Sequence, residues 1–422
     1  MNTLSVRARF YGHPLPFLVL CCALASVYAW GQALHVAYDT DGTITINGKR
    51  TLIIGSYYAS NKYTEPKPKE ADYRALAKAG FNLVHGSADQ LDMIHDAGLM
   101  AWVTVGTVDL KDIDGSAKKL RQKVEAVRDK PAVAFLETVD EPAWTWMKAE
   151  QRVPAEALVK AYPVIKDVDS NHLLYTNHAP TNLVSTLKTY NPGTDIVACD
   201  IYPVNPGGLK HSYALFEDGQ QGDLNNQTIS QVGEYTRKMR RVAGPDRPVF
   251  MVLQAFAWEM FADPMERREE KILYPTYNES RFMAYDALIN GSNGILYWGS
   301  FFTPQPSDCW TGIKRVTREL ADLSGALAER DAKLPLKLTY HEMGHSGDDG
   351  IEWIAKMHQG KLYLFTCNAY RYPCRVTFSG LKGWTSCEVL NEKRDAAMLP
   401  VKDGAFTDTW KRFDVHVYQL SR

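Results

Sequence analysis

Two adjacent carboxylates, Asp140 and Glu141, stand where an apolar run of strand length ends. Pro142 follows them and cannot donate a hydrogen bond to a neighbouring strand, so the strand is predicted to stop there. In a parallel α/β fold this places both acids at the carboxyl end of the strand, where such folds carry their chemistry. Two carboxyl groups with different pKa values can serve as acid and base. Trp144 and Trp146 beside them supply the flat apolar surfaces that a sugar-binding cleft requires.

Other polar and aromatic residues are predicted to converge on the same edge. The last residues of the predicted strands are Tyr57, Tyr58, His85, Thr104, Asp140, Glu141, Asn177, His178, Asp200, Tyr202, Gln254 and Trp298. The interior layers of a barrel would carry branched aliphatic residues at such positions. Carboxylate, amide, imidazole and aromatic groups at one mouth instead describe a pocket for a polar ligand.

The elements that must position these residues form a regular strand and helix alternation. The predicted strands are 52–58, 82–85, 101–105, 132–139, 173–177, 195–201, 249–254 and 294–298. The predicted helices are 70–79, 88–97, 116–128, 155–168, 182–190, 229–242, 279–289 and 315–330. Eight such units predict an α/β fold, a (β/α)8 TIM barrel at residues 51–332. An open doubly wound sheet would not usually reach eight regular units without a glycine-rich nucleotide turn, and the sequence has none.

Loop lengths give the predicted barrel an orientation. The helix-to-strand joints are short and rich in turn residues, whereas two strand-to-helix joints are long, at 202–228 and 255–277. Barrel sites are built from strand-to-helix loops, so the long loops mark the working face.

Short strands flank the barrel in sequence. Before it, two hairpin turn pairs, Asp41-Gly42 and Asn47-Gly48, predict a β-hairpin at residues 34–50 that closes the bottom of the barrel. After it, residues 333–422 read as short strands separated by turns, which predicts an all-β sandwich domain.

Composition limits the function classes. The chain has 422 residues, 45% of them hydrophobic and 23% charged, which is ordinary for a globular protein with a large core. The net charge of −1 offers no electrostatic footprint for nucleic acid, so we expect no such partner. We expect no cofactor, and the sequence says nothing about oligomeric state.

The first residues read as a targeting segment. Arg7 and Arg9 precede an apolar run at 15–29, which ends in Val27-Tyr28-Ala29 and fits the small-residue rule for cleavage. The run is short for a membrane span, which needs about 20 residues. We therefore predict a cleaved signal peptide at residues 1–29, a secreted or periplasmic protein, and no stable membrane insertion after cleavage.

Export permits disulfide bonds. Five cysteines follow the predicted leader, and three of them, Cys367, Cys374 and Cys387, cluster near the C-terminus. We expect one disulfide among these three, although spacing does not determine which pair forms it.

The chain resembles the secreted TIM-barrel glycoside hydrolases of the superclan often called clan A. Such enzymes carry an acid/base Glu after strand four in an Asn-Glu-Pro or similar turn, an aromatic platform after strand eight, and often a C-terminal β-sandwich. Asp140-Glu141-Pro142 matches the first feature, with Asp for Asn, and Tyr297-Trp298-Gly299 matches the second. The resemblance covers roughly Thr51 to the C-terminus and implies a glycoside hydrolase that acts on a carbohydrate substrate, with Glu141 as general acid.

One departure from that pattern leaves the mechanism open. The clan carries a nucleophilic Glu at the end of strand seven, where this chain has Gln254, and a carboxamide can only hydrogen-bond. In one scheme Asp140 orients a substrate 2-acetamido group, which attacks its own anomeric carbon, as in substrate-assisted N-acetylhexosaminidases. In a second, Asp200 activates water at about 6.5–9.5 Å from Glu141 in an inverting reaction. In a third, Glu259 folds back as nucleophile at about 5–5.5 Å. In a fourth, the barrel is catalytically inactive and only binds glycan.

In every hydrolytic scheme Glu141 needs a raised pKa, and apolar neighbours and the charge of Asp140 are expected to raise it. A sugar ring also needs flat faces to pack on, and Trp298 is the first candidate, with Trp144, Trp258 and Tyr202 behind it. The predicted substrate-binding residues are Tyr57, His85, Asn177, Tyr202, Gln254 and Trp298, with His178 as a further hydroxyl-binding candidate.

One metal-binding pattern is set aside. His341-Glu-Met-Gly-His345 matches the zinc-protease motif, which requires both histidines on one face of a helix. Here the motif follows a strand-like run and precedes a turn, and Gly344 disfavours a helix. We therefore expect no metal site.

Overall fold

The computed structural model describes residues 31–57, 67–144, 151–206, 228–341 and 350–422. The described chain begins with a small antiparallel sheet of three strands, β1 (Val36–Tyr38), β2 (Ile44–Ile46) and β3 (Lys49–Arg50). Asn47 and Gly48 both have positive φ, as the tight turn between β2 and β3 requires. The apolar side chains of Val36, Ile44 and Ile46 pack against residues of the barrel interior.

Eight parallel strands then form a closed barrel, in which each strand pairs with the next in chain order and the last pairs with the first. They are β4 (Ile53–Ser56), β5 (Leu83–His85), β6 (Met100–Thr104), β7 (Val133–Glu137), β8 (Leu173–His178), β9 (Ile196–Ile201), β10 (Val249–Gln254) and β11 (Gly294–Trp298). The predicted TIM barrel is confirmed, and each predicted apolar run overlaps one barrel strand.

Side chains that alternate along each strand fill the barrel interior. Large apolar residues such as Trp102, Phe135 and Phe250 form the inner cluster. The same alternation continues to the carboxyl ends of all eight strands. The interior-facing residues there are Tyr57, His85, Thr104, Glu137, Asn177, Asp200, Gln254 and Trp298. The uppermost interior layer is therefore polar and aromatic, and it is this layer that positions the candidate site.

Nine α-helices lie in the described ranges, most of them between the barrel strands. They are α1 (Glu70–Lys78), α2 (Leu91–Asp96), α3 (Ile113–Glu125), α4 (Ala155–Val168), α5 (Val184–Lys188), α6 (Gln231–Ala243), α7 (Tyr277–Ile289), α8 (Asp308–Asp322) and α9 (Ser324–Leu327). The predicted final helix at 315–330 was placed too late. The hydroxyl of Ser307 accepts a hydrogen bond from the Trp310 backbone N–H at 3.2 Å, and this cap starts α8 earlier.

The C-terminal region is all-β, as predicted. Its strands are β12 (Lys337–Tyr340), β13 (Ile351–His358), β14 (Lys361–Asn368), β15 (Cys374–Ser379), β16 (Ser386–Leu390), β17 (Met398–Pro400), β18 (Ala405–Trp410) and β19 (Val415–Ser421). They form a three-stranded sheet, β12-β15-β18, and a five-stranded sheet, β13-β14-β19-β16-β17. One apolar cluster, which includes Phe378, Phe406 and Tyr418, joins the two sheets into a sandwich.

Helix α7 is packed on both sides, because ten of its 13 residues are buried. One side faces the barrel, and the other faces the five-stranded sheet. The rings of Tyr285 and Phe365 stack at 6.3 Å, and those of Phe282 and Phe413 lie 5.1 Å apart. A helix that is buried on opposite sides is typical of a core position, so α7 belongs to the barrel and the sandwich at once.

A buried carboxyl pair lies at this junction. Asp286 on α7 is fully buried, and its carboxyl group is hydrogen-bonded to that of Glu352 on β13. The Gly233 N–H donates to Asp286 Oδ2 at 2.7 Å, the Asn290 amide donates to both carboxyls, and Arg237 donates to Glu352 Oε1 at 2.7 Å. Burial and the charge of Glu352 raise the pKa of Asp286 well above its ordinary value. The pair therefore holds a proton, and its oxygens are already used by protein donors.

This proton makes stability depend on pH. A carboxyl whose folded-state pKa is raised stabilises the fold at low pH, and this stability is lost as pH rises from the unfolded-state pKa, about 4, through the folded-state pKa. We expect the free energy of unfolding to fall less in Asp286→Asn than in wild type between pH 5 and pH 9. The two losses should differ by more than about 1 kcal/mol, since one pKa unit is worth about 1.4 kcal/mol. Urea unfolding at several pH values measures this. Asp322→Asn, on the exposed face of α8, is the control, and parallel curves for Asp286→Asn and wild type would contradict the assignment.

The expected disulfide is wrong. Cys367, Cys374 and Cys387 are all buried, and no disulfide joins them. Cys367 packs in the cluster that faces the barrel, apart from Cys374 and Cys387, which pack in the cluster between the two sheets and belong to different sheets, on β15 and β16.

Two other sequence predictions meet the described residues only in part. His341 directly follows strand β12, while the rest of the zinc-like motif, like the leader predicted at 1–29, lies outside the described residues. Among the described helices, none is both long and apolar enough to cross a membrane.

Candidate active site

A cavity of about 370 Å³ opens at the carboxyl ends of the barrel strands. It is lined by Tyr57, Asp140, Glu141, Trp144, Asn177, Ala179, Pro180, Thr181, Asp200, Ile201, Tyr202, Trp258, Phe261 and Trp298. Small-molecule sites have volumes of about 300–1,000 Å³ and combine apolar walls with a few convergent polar groups. All three residues predicted to be catalytic, and four of the six predicted to bind substrate, line this one cavity.

Three carboxyl groups meet around one amide. The Asn177 side chain donates from Nδ2 to Asp140 Oδ1 at 3.0 Å and to Asp200 Oδ1 at 3.2 Å. The carboxyl groups of Glu141 and Asp200 are hydrogen-bonded to each other. On its outer side Glu141 accepts a hydrogen bond from Arg152 Nη1 at 3.3 Å. A direct bond between two carboxyl groups requires a proton, so this cluster carries fewer than three negative charges.

The backbone at Glu141 is held in an unusual conformation. Its φ of +46° lies in the left-handed region, which non-glycine residues seldom adopt. The Glu141 N–H donates to the Asn177 carbonyl at 2.9 Å, and the Glu141 carbonyl accepts from the Trp144 N–H at 3.1 Å. These bonds tie the turn after β7 to strand β8. Strain of this kind persists where surrounding structure imposes it, and it is concentrated at functional sites.

The pKa values of the three acids are all raised. Burial, then the charge of Asp200 and then that of Asp140 raise the pKa of Glu141 to about 9, against a smaller lowering by Arg152. Burial and the charge of Asp140 raise the pKa of Asp200 to about 7, and burial raises that of Asp140, which Asn177 partly offsets. At neutral pH Glu141 therefore keeps a proton that it can donate, as the sequence analysis required of a general acid.

Aromatic rings form one wall of the cavity. The Trp298 ring is nearly parallel to that of Tyr202, at 5.5 Å and 24°, and to that of Phe261, at 5.9 Å and 20°. Trp258 supports this row, since its Nε1 donates to the Tyr202 carbonyl at 3.1 Å. Phe261 is 45% exposed at the rim. The wall thus offers apolar surface from the depth of the cavity to solvent, which suits the faces of sugar rings.

The next part of the mouth, at the ends of β4 and β5, is built from tyrosine and histidine. The Tyr57 hydroxyl is 2.7 Å from that of Tyr175, and the Tyr57 ring packs edge-on against Trp102 at 4.8 Å. His85 lies 6.0 Å from the Tyr57 ring and is hydrogen-bonded through Nε2 to Thr104 Oγ1 at 2.9 Å. His85 is therefore beside the cavity and does not line it.

Three other candidates lie away from the cavity. Gln254 is fully buried. Its Nε2 donates to the carbonyls of Val204 at 2.7 Å and Phe256 at 3.0 Å, and its Oε1 accepts from the Val204 N–H at 2.9 Å. His178 is buried on the outer side of β8, its ring 5.7 Å from that of Tyr190, and burial lowers its pKa to about 4. Glu259 accepts hydrogen bonds from the backbone and side chain of Arg268, which lower its pKa.

Three charged or aromatic residues of this region were not predicted from the sequence. Glu137 was hidden inside an apolar run, although the alternation along β7 places it on the interior side, as it does Phe135. Arg152 and Phe261 come from loops, and no local pattern indicates where a loop side chain will point. Tyr58 and Trp146 lie outside the described residues.

The likeness to known proteins is one of structure. No protein-family model matches the sequence, and no curated protein matches it either. An α-amylase from Geobacillus thermoleovorans, complexed with acarbose, is 9% identical with a TM-score of 0.53, over 89% of this chain and 100% of the other. A protein described as a glycoside hydrolase is 12% identical with a TM-score of 0.55, over 92% and 97%. A family 5 glycoside hydrolase from Bacteroides vulgatus is 13% identical with a TM-score of 0.54, over 92% and 93%.

Identities this low establish the fold and nothing finer. The chain has the architecture of TIM-barrel glycoside hydrolases, a closed eight-stranded parallel barrel followed by antiparallel β-sheets. The predicted resemblance is confirmed at that level. The roles of the cavity residues stay predictions.

Proposed function

We propose that this protein is a glycoside hydrolase whose general acid is Glu141. The observation that carries the proposal is a buried carboxyl, hydrogen-bonded to a second carboxyl, in a cavity of about 370 Å³ with an aromatic wall. A general acid must hold its proton at working pH and release it to the leaving oxygen, and the pKa of about 9 for Glu141 meets the first condition. The fold shared with glycoside hydrolases supports the same class of substrate.

Among the hydrolytic schemes, the cavity best supports the one that uses a substrate 2-acetamido group. An inverting pair needs room for water between carboxyls about 6.5–9.5 Å apart, whereas Glu141 and Asp200 are in direct contact. Glu259 is bonded to Arg268 and does not line the cavity. Asp140 does line it, next to the acid and oriented by Asn177, which suits a group that positions an acetamide for attack on the anomeric carbon.

The test is product release from a panel of polysaccharides and aryl glycosides that includes N-acetylhexosaminides. Turnover of N-acetylhexosaminides in preference to the matching unsubstituted hexosides would support both the class and the acetamido scheme. Turnover of hexosides alone would uphold the hydrolase and reject that scheme. We also propose that the chain is exported, which a search of the culture medium or periplasm for the mature protein would test.

The alkaline limb of the pH profile provides a further prediction. Because Glu141 must be protonated to act as acid, kcat is expected to fall as pH rises through about 9. Arg152 lowers the pKa of Glu141, so Arg152→Gln should move the limb to higher pH. Steady-state kinetics from pH 6 to pH 10.5 measure the shift. Arg121→Gln, on the outer surface of α3, serves as control, and a limb that moves down in Arg152→Gln would contradict the assignment.

The second candidate function is glycan binding without hydrolysis. One observation favours it: the residue at the end of β10 is Gln254, which is not a carboxylate and whose amide is hydrogen-bonded to the backbone of Val204. A binding protein would show affinity for an oligosaccharide but no turnover on the full panel. Calorimetric titration with panel members that are not cleaved separates this outcome from inactivity on an unsuitable substrate.

A further inference from the structure

A buried carboxyl next to the cavity has no role in the scheme above. Glu137 is the last residue of β7 and is 3% exposed. Thr104 Oγ1 lies 2.6 Å from Glu137 Oε2, and His85 Nε2 lies 2.9 Å from Thr104 Oγ1 and 3.5 Å from Glu137 Oε2. Three adjacent barrel strands, β5, β6 and β7, thus contribute one hydrogen-bonded trio. Thr104 is exposed and His85 partly exposed, so the trio connects a buried acid to the mouth.

The groups that face Glu137 decide which atoms in the trio carry protons. Burial and then the charge of Asp140 raise the pKa of Glu137 to about 8, partly offset by Thr104. Burial lowers the pKa of His85 to about 4, so the imidazole is neutral. Tyr57 and Tyr175 are the other titratable neighbours, and their pKa values lie well above the ordinary value. At neutral pH every group that touches Glu137 is therefore uncharged.

We propose that Glu137 is a positioning residue, which sets through Thr104 and His85 the direction of the hydrogen bonds that the mouth offers to the hydroxyl groups of the bound sugar. The proposal rests on the proposed function and deepens it. The nearest part of the cavity is Tyr57, whose ring is 6.0 Å from that of His85. The trio therefore serves the portion of a hydroxyl-rich ligand that lies on the Tyr57 side of the cavity.

Protonation of Glu137 selects between two hydrogen-bond patterns. The neutral acid donates to Thr104, Thr104 donates to His85 Nε2, and the ring proton of His85 is on Nδ1. The carboxylate only accepts, so it takes the Thr104 proton, and His85 then carries its proton on Nε2. His85 Nδ1 changes from donor to acceptor in this exchange. A ligand hydroxyl group that extends past Tyr57 to His85 and matches the first pattern loses a hydrogen bond in the second.

The test separates binding from turnover by pH. In wild type, KM is expected to rise between pH 7 and pH 9 by about two- to tenfold, the value of one hydrogen bond. Glu137→Gln cannot ionise, so its KM should rise less than that of wild type across this range, while the fall of kcat near pH 9 remains. Thr104→Val breaks the link and should raise KM at every pH. Glu125→Gln, on the exposed side of α3, is the matched control. Parallel KM curves for wild type and Glu137→Gln would overturn the proposal.

A readout that needs no substrate distinguishes this proposal from the proposed function. The ring signals of His85 in an NMR titration should change near pH 8 in wild type and stay constant in Glu137→Gln. Loss of that change in the variant supports the trio even if no glycoside is ever hydrolysed. If the protein hydrolyses glycosides but the His85 signals titrate alike in wild type and Glu137→Gln, the proposed function stands and the positioning role is rejected.

Discussion

Replacing Glu141 by Gln is expected to lower kcat by about two to four orders of magnitude, the usual contribution of a general acid. Glutamine keeps the shape of the side chain and can still donate a hydrogen bond to Asp200, but it has no acidic proton for the leaving oxygen. KM should therefore change little, and bound substrate should accumulate. Initial rates and KM on the best substrate of the panel measure both quantities.

The leaving group provides an internal check on this result. An aryl glycoside with a good leaving group needs little protonation, so its kcat should fall less than that of an alkyl glycoside or a polysaccharide. Glu266→Gln, exposed on the loop that carries Phe261, is the matched control and should keep wild-type rates. Equal activity of wild type and Glu141→Gln on all substrates would mean that the chemistry is not on this strand.

Replacing Arg281 by Met is expected to lower the free energy of unfolding by about 3–5 kcal/mol, the usual result of breaking a buried ion pair by removing one partner. Arg281 on α7 and Glu319 on α8 are each 7% exposed. The guanidinium donates to both oxygens of Glu319, at 2.8–3.0 Å, and to the Val415 carbonyl of the sandwich at 2.7 Å. Methionine would leave the carboxylate of Glu319 buried with only hydroxyl donors, chiefly Tyr285.

A neighbouring ion pair provides the comparison. Arg318 precedes Glu319 on α8 and pairs with Asp322 at 2.7 Å, but both side chains are more than half exposed. Arg318→Met should therefore cost no more than about 0.5 kcal/mol. Urea unfolding of both variants measures the difference, and the double variant Arg281→Met with Glu319→Leu should recover part of the loss. If the two arginine variants lowered the free energy of unfolding equally, burial of the Arg281 pair would make no difference to stability.

The barrel could be predicted from sequence because its signal is repeated eight times. Each strand is a short apolar run, and each is followed by a helical pattern, so an error in one unit does not change the count. The strands of the sandwich were harder to predict. Strands β17 and β18 were not predicted, since Met398–Pro400 is too short to show a period and the alternation of Ala405–Trp410 is broken by polar residues.

The candidate site was predictable only where the strand itself positions the side chain. Asp140, Asn177 and Asp200 follow from strand ends, and the cavity brings them together. The same alternation excludes His178 from the interior, because it is adjacent to Asn177 and points to the other side. Gln254 was placed on the correct strand, but only the path of the backbone at Val204 reveals where its hydrogen bonds go.

The packing of α7 on two sides has a consequence for how this chain can be divided. A fragment that ended after the barrel would expose Phe282 and Tyr285 to water, together with the buried carboxyl of Asp286. The sandwich therefore acts as an outer wall of the barrel at α7, the helix between its seventh and eighth strands, and its removal would uncover the core of the barrel. The residues that line the cavity all lie between Tyr57 and Trp298, so the candidate site and this outer wall are built from separate parts of the chain.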